Sequence, residues 1–129
     1  MRMVKFIRIM EELRKLEKML SPLLGDIGLS FSQIRMCYQI YKMAPVTSSQ
    51  LSKELGITNA STTNQLKELA RAGLVKTIPN PEDKRSSLVS LTSNGEKRLE
   101  LAMEAIYEME KKSGENMLKP FFDAIKQMT

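Results

Sequence analysis

Apolar residues recur at three- and four-residue steps near both ends of the chain. Between residues 3 and 20 this spacing predicts a first helix, which Ser21 and Pro22 are expected to break. Its apolar stripe is wider than one packing surface needs, so we expect this helix to contact two partners. A fifth helix is predicted from Thr92 to about Lys112. A last apolar helical face follows, formed by Leu118, Phe121, Phe122, Ile125 and Met128, with Pro120 in its first turn.

Polar caps precede the shorter helices in the middle of the chain. Ser30 is followed three residues later by Gln33, and Thr47 by Gln50, so both pairs fit a capping box that starts a helix. Gly56 is expected to end the third helix in a left-handed conformation. The predicted buried positions of the second, third and fourth helices are Ile34, Cys37, Ile40 and Tyr41, then Leu51, Leu55 and Ile57, then Thr62, Leu66, Leu69 and Ala70.

A β-hairpin is predicted after the fourth helix. That helix should cover residues 59–72, and β-branching predicts strands at about 74–78 and 86–91 around an irregular tip. A short turn between the third and fourth helices, with a hairpin after them, indicates a winged helix-turn-helix. The fold class expected is therefore mainly α with a small β-hairpin wing and with N- and C-terminal helical dimerisation arms.

The predicted elements also suggest how the chain is divided. We expect residues 1–129 to form a single winged-helix domain, with a DNA-binding lobe at 30–92. Residues 1–29 and 93–129 would form the helical dimerisation arms. These arms carry more apolar surface than a compact monomer needs, so we expect a homodimer.

Composition narrows the function. The chain carries 20 basic and 15 acidic residues, a net charge of +5 that suits double-stranded DNA without proving it. It has one cysteine and no histidine, which excludes an intrachain disulfide, the usual zinc ligands and the usual general base. No nucleophile–base pair or phosphate loop is present, so neither an enzyme nor a cofactor is expected. Cys37 falls on a buried helical line and should be unreactive.

The first residues give no targeting signal. Basic residues interrupt the apolar ones between Met1 and Met10, so neither a signal peptide nor a membrane span is expected, and the predicted location is cytoplasmic.

The fourth helix carries candidate base contacts on the face opposite its core line. Ser61 and Asn64 are the predicted base readers, because an Asn amide can pair with adenine in the major groove. Ala60 could meet a thymine methyl group, and Thr63 is a further polar candidate. The predicted phosphate contacts are Ser48, Ser49, Lys53 and Lys67, and the predicted minor-groove contacts of the wing, residues 79–86, are Asp83, Lys84 and Arg85.

The same segment resembles the MarR family of winged-helix transcriptional regulators. The matching runs are LSKELGIT, QLKELARAGLV and PNPEDKRSSLVSLTSNG. The resemblance implies a homodimeric regulator, a repressor, with a major-groove recognition helix and a minor-groove wing. It also implies that Asp83 and Arg85 are the paired acid and base of the wing. Three residues depart from the family pattern. The family commonly has basic residues at the positions of Thr77 and Ile78, and frequently has an arginine at the position of Asn64.

The resemblance further implies a pocket for a small organic effector, such as a phenolic compound, that releases the DNA. Met10, Met36 and Tyr41 are the candidate ligand contacts. The alternative function is a winged-helix protein-interaction module that does not bind DNA.

Overall fold

The computed structural model describes residues 2–113 and 119–126, and these residues form a mainly helical protein. The described elements are α1 (Arg2–Ile27), α2 (Phe31–Met43), β1 (Val46–Thr47), α3 (Ser48–Leu55), α4 (Asn59–Arg71), β2 (Val75–Pro79), β3 (Ser87–Leu91), α5 (Ser93–Ser113) and α6 (Lys119–Lys126). The described chain divides into two compact units, Met1–Leu29 with Ala102–Thr129, and Ser30–Leu101. The roles predicted for the lobe and for the arms stay predictions.

The β-sheet has three antiparallel strands in the order β1-β3-β2. Val46 of β1 lies opposite Val89, and β2 pairs with β3 from Val75 opposite Leu91 to Pro79 opposite Ser87. The predicted hairpin is confirmed as β2 and β3, and β1 adds a third strand that was not predicted. β1 contains only two residues, too few to show an alternating pattern in the sequence.

Helix α1 is longer than expected, because Ser21 and Pro22 do not break it. A proline inside a helix costs about 3 kcal/mol. Leu20 and Leu24 on either side of it are 8% and 2% exposed, and burying a leucine stabilises by about 1.5–3 kcal/mol. The burial of these two side chains is large enough to offset the proline. The helix ends instead at Ile27, before the left-handed Gly28, and the amide of Leu29 donates to the carbonyl of Leu24 over 3.2 Å.

The second unit holds the helix-turn-helix and the sheet around one apolar core. Leu51 of α3 and Leu69 of α4 are fully buried, and Ile40 of α2 is as well. Two core predictions were wrong. Tyr41 is 62% exposed, whereas Met36, which was not predicted, is fully buried; the other predicted residues of α2 are buried. Ala70 is exposed because it lies on the flank of α4 that faces the wing.

The start of α5 is fixed against the end of α4 by backbone contacts. Thr92 caps the helix, its hydroxyl accepting from the amide of Gly95 over 3.0 Å. The same hydroxyl donates to the carbonyl of Gly73 over 2.6 Å, and the Thr92 amide donates to the carbonyl of Leu74 over 3.0 Å. These bonds bring the backbone of Gly95 against Leu74.

The first unit brings α1 and α6 into contact. On α1, Met3 is 75% exposed, Met10 is 50% exposed and Phe6 is 56% exposed in the single protomer. Pro120 lies in the first described turn of α6. Of the predicted last apolar face, Leu118, Met128 and the side chains of Phe121 and Phe122 lie outside the described residues.

Candidate nucleic-acid interface

The turn between α3 and α4 is held by side-chain caps and by one left-handed glycine. Thr47 Oγ1 accepts from the amide of Gln50 over 3.1 Å, and Gln50 Oε1 accepts from the amide of Thr47 over 3.0 Å, which confirms the predicted capping box. Gly56 ends α3 at φ 67° and ψ 33°, a conformation that favours glycine. Thr58 Oγ1 then accepts from the amide of Ser61 over 3.0 Å and starts α4 two residues after the glycine.

Helix α4 presents a polar surface opposite its buried residues. Ala60, Thr63, Asn64 and Lys67 are all exposed. At 100° per residue, Thr63 and Lys67 lie toward the wing, and Ala60 and Asn64 lie opposite the core. Ser61 differs from these four. It is half-buried on the flank of α4 that faces away from the wing, and its hydroxyl accepts from Gln65 Nε2 over 3.3 Å.

The tip of the wing is an ordered turn that extends one arginine. Asn80 Oδ1 accepts from the amide of Glu82 over 3.0 Å, and Asn80 Nδ2 donates to Ser86 Oγ over 3.0 Å. Asp83 Oδ1 accepts from the Arg85 amide over 3.0 Å and from Arg85 Nε over 3.3 Å. The Arg85 side chain is nevertheless 93% exposed. The turn thus aligns the guanidinium and leaves most of it open to a partner.

A groove of about 850 Å³ separates α4 from the wing. Its positive charges are Lys67 on one side and Arg85 on the other, and its acidic residue, Asp83, is paired with Arg85. The predicted contacts that line this groove are Ser48, Ser49, Thr63, Lys67, Asp83 and Arg85. The predicted contacts that do not line it are Lys53, Ala60, Ser61, Asn64 and Lys84.

The groove also contains polar residues that sequence reasoning missed. Asn59 lies one turn before Thr63 on the same flank of α4. Since Asn59, Thr63 and Lys67 are spaced by four residues, helical periodicity could have predicted that Asn59 shares their face. Asn80 and Ser86 line the groove from the wing. The sequence Asn80-Pro81 predicts a turn here, but it does not predict the hydrogen bond between the side chains of Asn80 and Ser86. Thr77, noted as a departure from the family pattern, lines it from β2.

The candidate ligand contacts have very different surroundings. Met36 is fully buried, Tyr41 is 62% exposed, and Met10 belongs to the other unit, where it lines a depression of about 320 Å³ along α1. Their role stays a prediction.

Cys37 is 1% exposed, and burial raises the pKa of its thiol from 9.0 to about 11. The thiol is therefore protonated at neutral pH, as expected of an unreactive core cysteine. Among the described residues, no group of three or more acidic or cysteine side chains could hold a metal ion. None of the described helices is long and apolar enough to cross a membrane.

Comparisons with known proteins agree with this geometry. A family model described as MarR family matches residues 27–86. The uncharacterised HTH-type transcriptional regulator YdgJ of Bacillus subtilis is 36% identical over 73 residues, covering 57% of this chain and 44% of that protein. The multiple antibiotic resistance protein MarR of Escherichia coli is 32% identical over 82 residues, covering 64% and 57%. The matches thus span about half the length of these two relatives.

The fold is also found in a solved complex. A crystal structure of a mutant E. coli MarR complexed with operator DNA has a TM-score of 0.71 and 25% identity, covering 92% of this chain and 89% of that one. The sequence match falls on the helix-turn-helix and wing tip, while the structural match covers nearly the whole chain. The chain is therefore similar to MarR family regulators over its helix-turn-helix and wing tip, and its fold matches theirs over nearly the whole chain.

Proposed function

We propose that this protein is a homodimeric transcriptional repressor that binds duplex DNA at specific sequences, with α4 in the major groove and the wing in the minor groove. The observation that carries this is the pairing of two features across one groove. The exposed polar face of α4 lies on one side. On the other side lies Arg85, whose side chain pairs with Asp83 and is 93% exposed. A winged helix uses these two elements on adjacent grooves of B-DNA.

The groove between them suits a phosphate strand. When a helix lies in the major groove and a wing lies in the neighbouring minor groove, one sugar–phosphate backbone must pass between the two. Ser48, Ser49 and Lys67 line that path and can donate to phosphate oxygens. Lys53 and Lys84 are exposed outside the groove, so we propose them as outer phosphate contacts.

The dimer is proposed from the exposed apolar face of α1. Met3, Phe6 and Met10 are half or more exposed in a single protomer, an arrangement typical of a face that a second copy covers. Two copies related by a two-fold axis would set their recognition helices on half-sites roughly 10 bp apart. The E. coli relative solved with operator DNA supports the DNA part of this proposal.

Release by a small organic effector, phenolic compounds being the first to try, completes the proposal. Of the candidate contacts, Met10 has accessible space beside it, whereas the fully buried Met36 would have to move to meet a ligand. The proposed role is binding rather than catalysis. Because its partner is chromosomal DNA, we propose that the protein acts in the cytoplasm.

The test is selection of duplexes from a random-sequence pool, followed by titration of the selected site at several salt concentrations. We expect one dimer per roughly palindromic site. Affinity should fall on the order of 1,000-fold between 50 and 200 mM salt if six or more phosphates are neutralised. A salt-independent affinity, or no enrichment of any sequence, would contradict the proposal.

A further inference from the structure

Two polar side chains on α4, Gln65 and Ser61, form a hydrogen bond that plays no part in the DNA contacts proposed above. Gln65 Nε2 donates to Ser61 Oγ over 3.3 Å, one helical turn away. The backbone of Ser61 is fixed at the same time, because its amide donates to Thr58 Oγ1 over 3.0 Å. Ser61 therefore sits in the first turn of the recognition helix with its hydroxyl oxygen already accepting a hydrogen bond.

The direction of that bond follows from the surroundings of Gln65. The other end of its amide, Oε1, is buried and has no hydrogen-bond partner among the described residues. Turning the amide over would put two N–H groups at that buried place instead of one oxygen. Each of those N–H groups would then need an acceptor at the buried end. In the structure the amide nitrogen lies toward Ser61 and donates to its hydroxyl oxygen.

This direction decides what Ser61 can offer to DNA. A hydroxyl has a single proton, and the structure shows no acceptor for the Ser61 proton within the described residues. The neighbouring Thr62 differs, since its hydroxyl donates to the carbonyl of Thr58 over 3.1 Å. Ser61 is half-buried rather than buried, so its proton can point outward.

We propose that Gln65 is a positioning residue that makes Ser61 a hydrogen-bond donor to the operator, so that the base facing Ser61 in each half-site presents an acceptor and is not cytosine. This inference rests on the proposed function. In the major groove guanine, thymine and adenine each present an acceptor, whereas cytosine presents only a donor. A donor-only contact therefore disfavours cytosine, while a freely rotating serine hydroxyl, which can donate or accept, would tolerate any of the four bases.

The test compares the base preferences of three proteins by selection from random duplexes. In Gln65→Glu the carboxylate can only accept, so it takes the Ser61 proton and leaves oxygen lone pairs facing the DNA. Preference at one position per half-site should then move toward cytosine, whose amino group donates, by roughly three- to tenfold. In Gln65→Met the hydroxyl is no longer directed, and the preference at that position should relax.

The controls separate this effect from charge and from folding. Gln50→Glu makes the same charge change in α3 and keeps an acceptor for the capping box, so it should weaken binding without altering the preferred base. Ser61→Ala should remove the base preference at that position. When Ser61→Ala is already present, a change at Gln65 should have no further effect on the base preference. Thermal unfolding of each variant checks the fold, and if Gln65→Glu does not fold, Gln65→Met decides alone.

The failures of the two proposals are distinguishable. If the wild-type protein selects no duplex, the proposed function is overturned and this inference falls with it. If both Gln65 variants bind DNA with the wild-type base preference at every position, only the inference is overturned. A uniform loss of affinity without a change of preference also overturns it, since Ser61 would then be donating to a phosphate.

Discussion

The side-chain hydroxyls of Ser52 and Thr62 lie 2.8 Å apart and form a buried hydrogen bond between α3 and α4. The two residues are 5% and 0% exposed. Thr62 donates its own proton to the carbonyl of Thr58 over 3.1 Å, so it accepts from Ser52. Because the bond joins side chains from two helices, it contributes to the angle at which the recognition helix leaves the turn.

We expect this pair to be energetically coupled. Ser52→Ala should lower the free energy of unfolding by about 1–2 kcal/mol, since Thr62 keeps a buried acceptor that has lost its donor. Thr62→Val, which keeps the shape, should cost a similar amount. The double variant should cost about 1 kcal/mol less than the sum of the single variants, measured by urea unfolding. Additive effects would mean that the two hydroxyls act separately, with Ser52 bonded to the carbonyl of Ser48, 3.0 Å away.

Gly95 permits the contact between the start of α5 and the end of α4. A Cβ atom at this position would overlap the carbonyl oxygen of Leu74 and lie 3.0 Å from its carbon. The obstacle is backbone, which cannot turn aside as a flexible side chain can. Gly95→Ala should therefore destabilise the protein by about 2 kcal/mol or more, within the range for overpacking.

Gly25 provides the matched control for this substitution. It lies inside α1, and a Cβ atom there would meet nothing within 4 Å. Gly25→Ala should stabilise by up to about 1 kcal/mol, because alanine is the better helix former. Equal effects of the two substitutions in thermal unfolding would contradict the backbone contact.

The sequence predicted best what is decided within a few residues. The caps at Ser30 and Thr47 depend only on the three residues that follow each of them, and both capping boxes are present. Features set by tertiary packing were missed. Pro22 is accommodated because Leu24 is buried, and β1 exists because Val46 pairs with Val89.

The candidate interface was predicted only in part, because it too depends on tertiary packing. Helical periodicity separates the buried face of α4 from its exposed face, but it does not tell which exposed flank the wing covers. Asn59 was missed on the wing side, and Ala70 was assigned to the core although it faces the groove. Ser61 was grouped with Asn64, whereas the structure puts it on the other flank beside Gln65.

Arg85 should affect DNA affinity without affecting stability. Its side chain is 93% exposed, so Arg85→Ala should leave the unfolding curve unchanged. Affinity for the selected duplex should fall about tenfold, and the slope of affinity against salt should decrease by about one counterion. Asp83→Asn should cause a smaller loss, because the guanidinium stays and keeps an oxygen acceptor but loses the opposite charge beside it.

A cation outside the proposed interface separates this effect from net charge. Lys15 is 71% exposed and pairs with Glu12 on α1, so Lys15→Ala removes the same charge elsewhere. Losses of similar size for Lys15→Ala and Arg85→Ala would argue against a wing contact. No loss for Arg85→Ala or Asn64→Ala would favour the protein-interaction module instead.

Asn64 should determine a second base preference. Its exposed amide on the outer face of α4 can pair with adenine, whereas arginine is the commonest side chain to contact guanine. Asn64→Arg should therefore shift one position of the selected half-site from adenine to guanine and raise affinity through the added charge. Ala72→Arg, at the end of the same helix, adds the charge without reaching that position. A guanine preference produced by both variants would show that charge alone is responsible.

Cys37 should be inert at neutral pH. With a folded pKa of about 11 against 9.0 for an exposed thiol, its thiolate population at pH 8 is about 100-fold lower than in the unfolded chain. Reaction with a thiol-specific reagent should therefore be slow in native protein and fast in urea. Peroxide should leave DNA affinity unchanged in wild-type protein and in Cys37→Ala alike. A peroxide-sensitive affinity that Cys37→Ala abolishes would contradict a purely structural role.

The same pKa shift predicts how stability depends on pH. The folded state holds the thiol proton more tightly than the unfolded state, because burial disfavours the thiolate. The resulting stabilisation is complete below pH 9 and is lost as the pH rises from 9 toward 11. The free energy of unfolding should therefore fall more steeply over this range in wild-type protein than in Cys37→Ala, which lacks the thiol and is otherwise identical. Parallel pH profiles for the two proteins would show that the thiol ionises without a penalty and that Cys37 is less enclosed than its 1% exposure indicates.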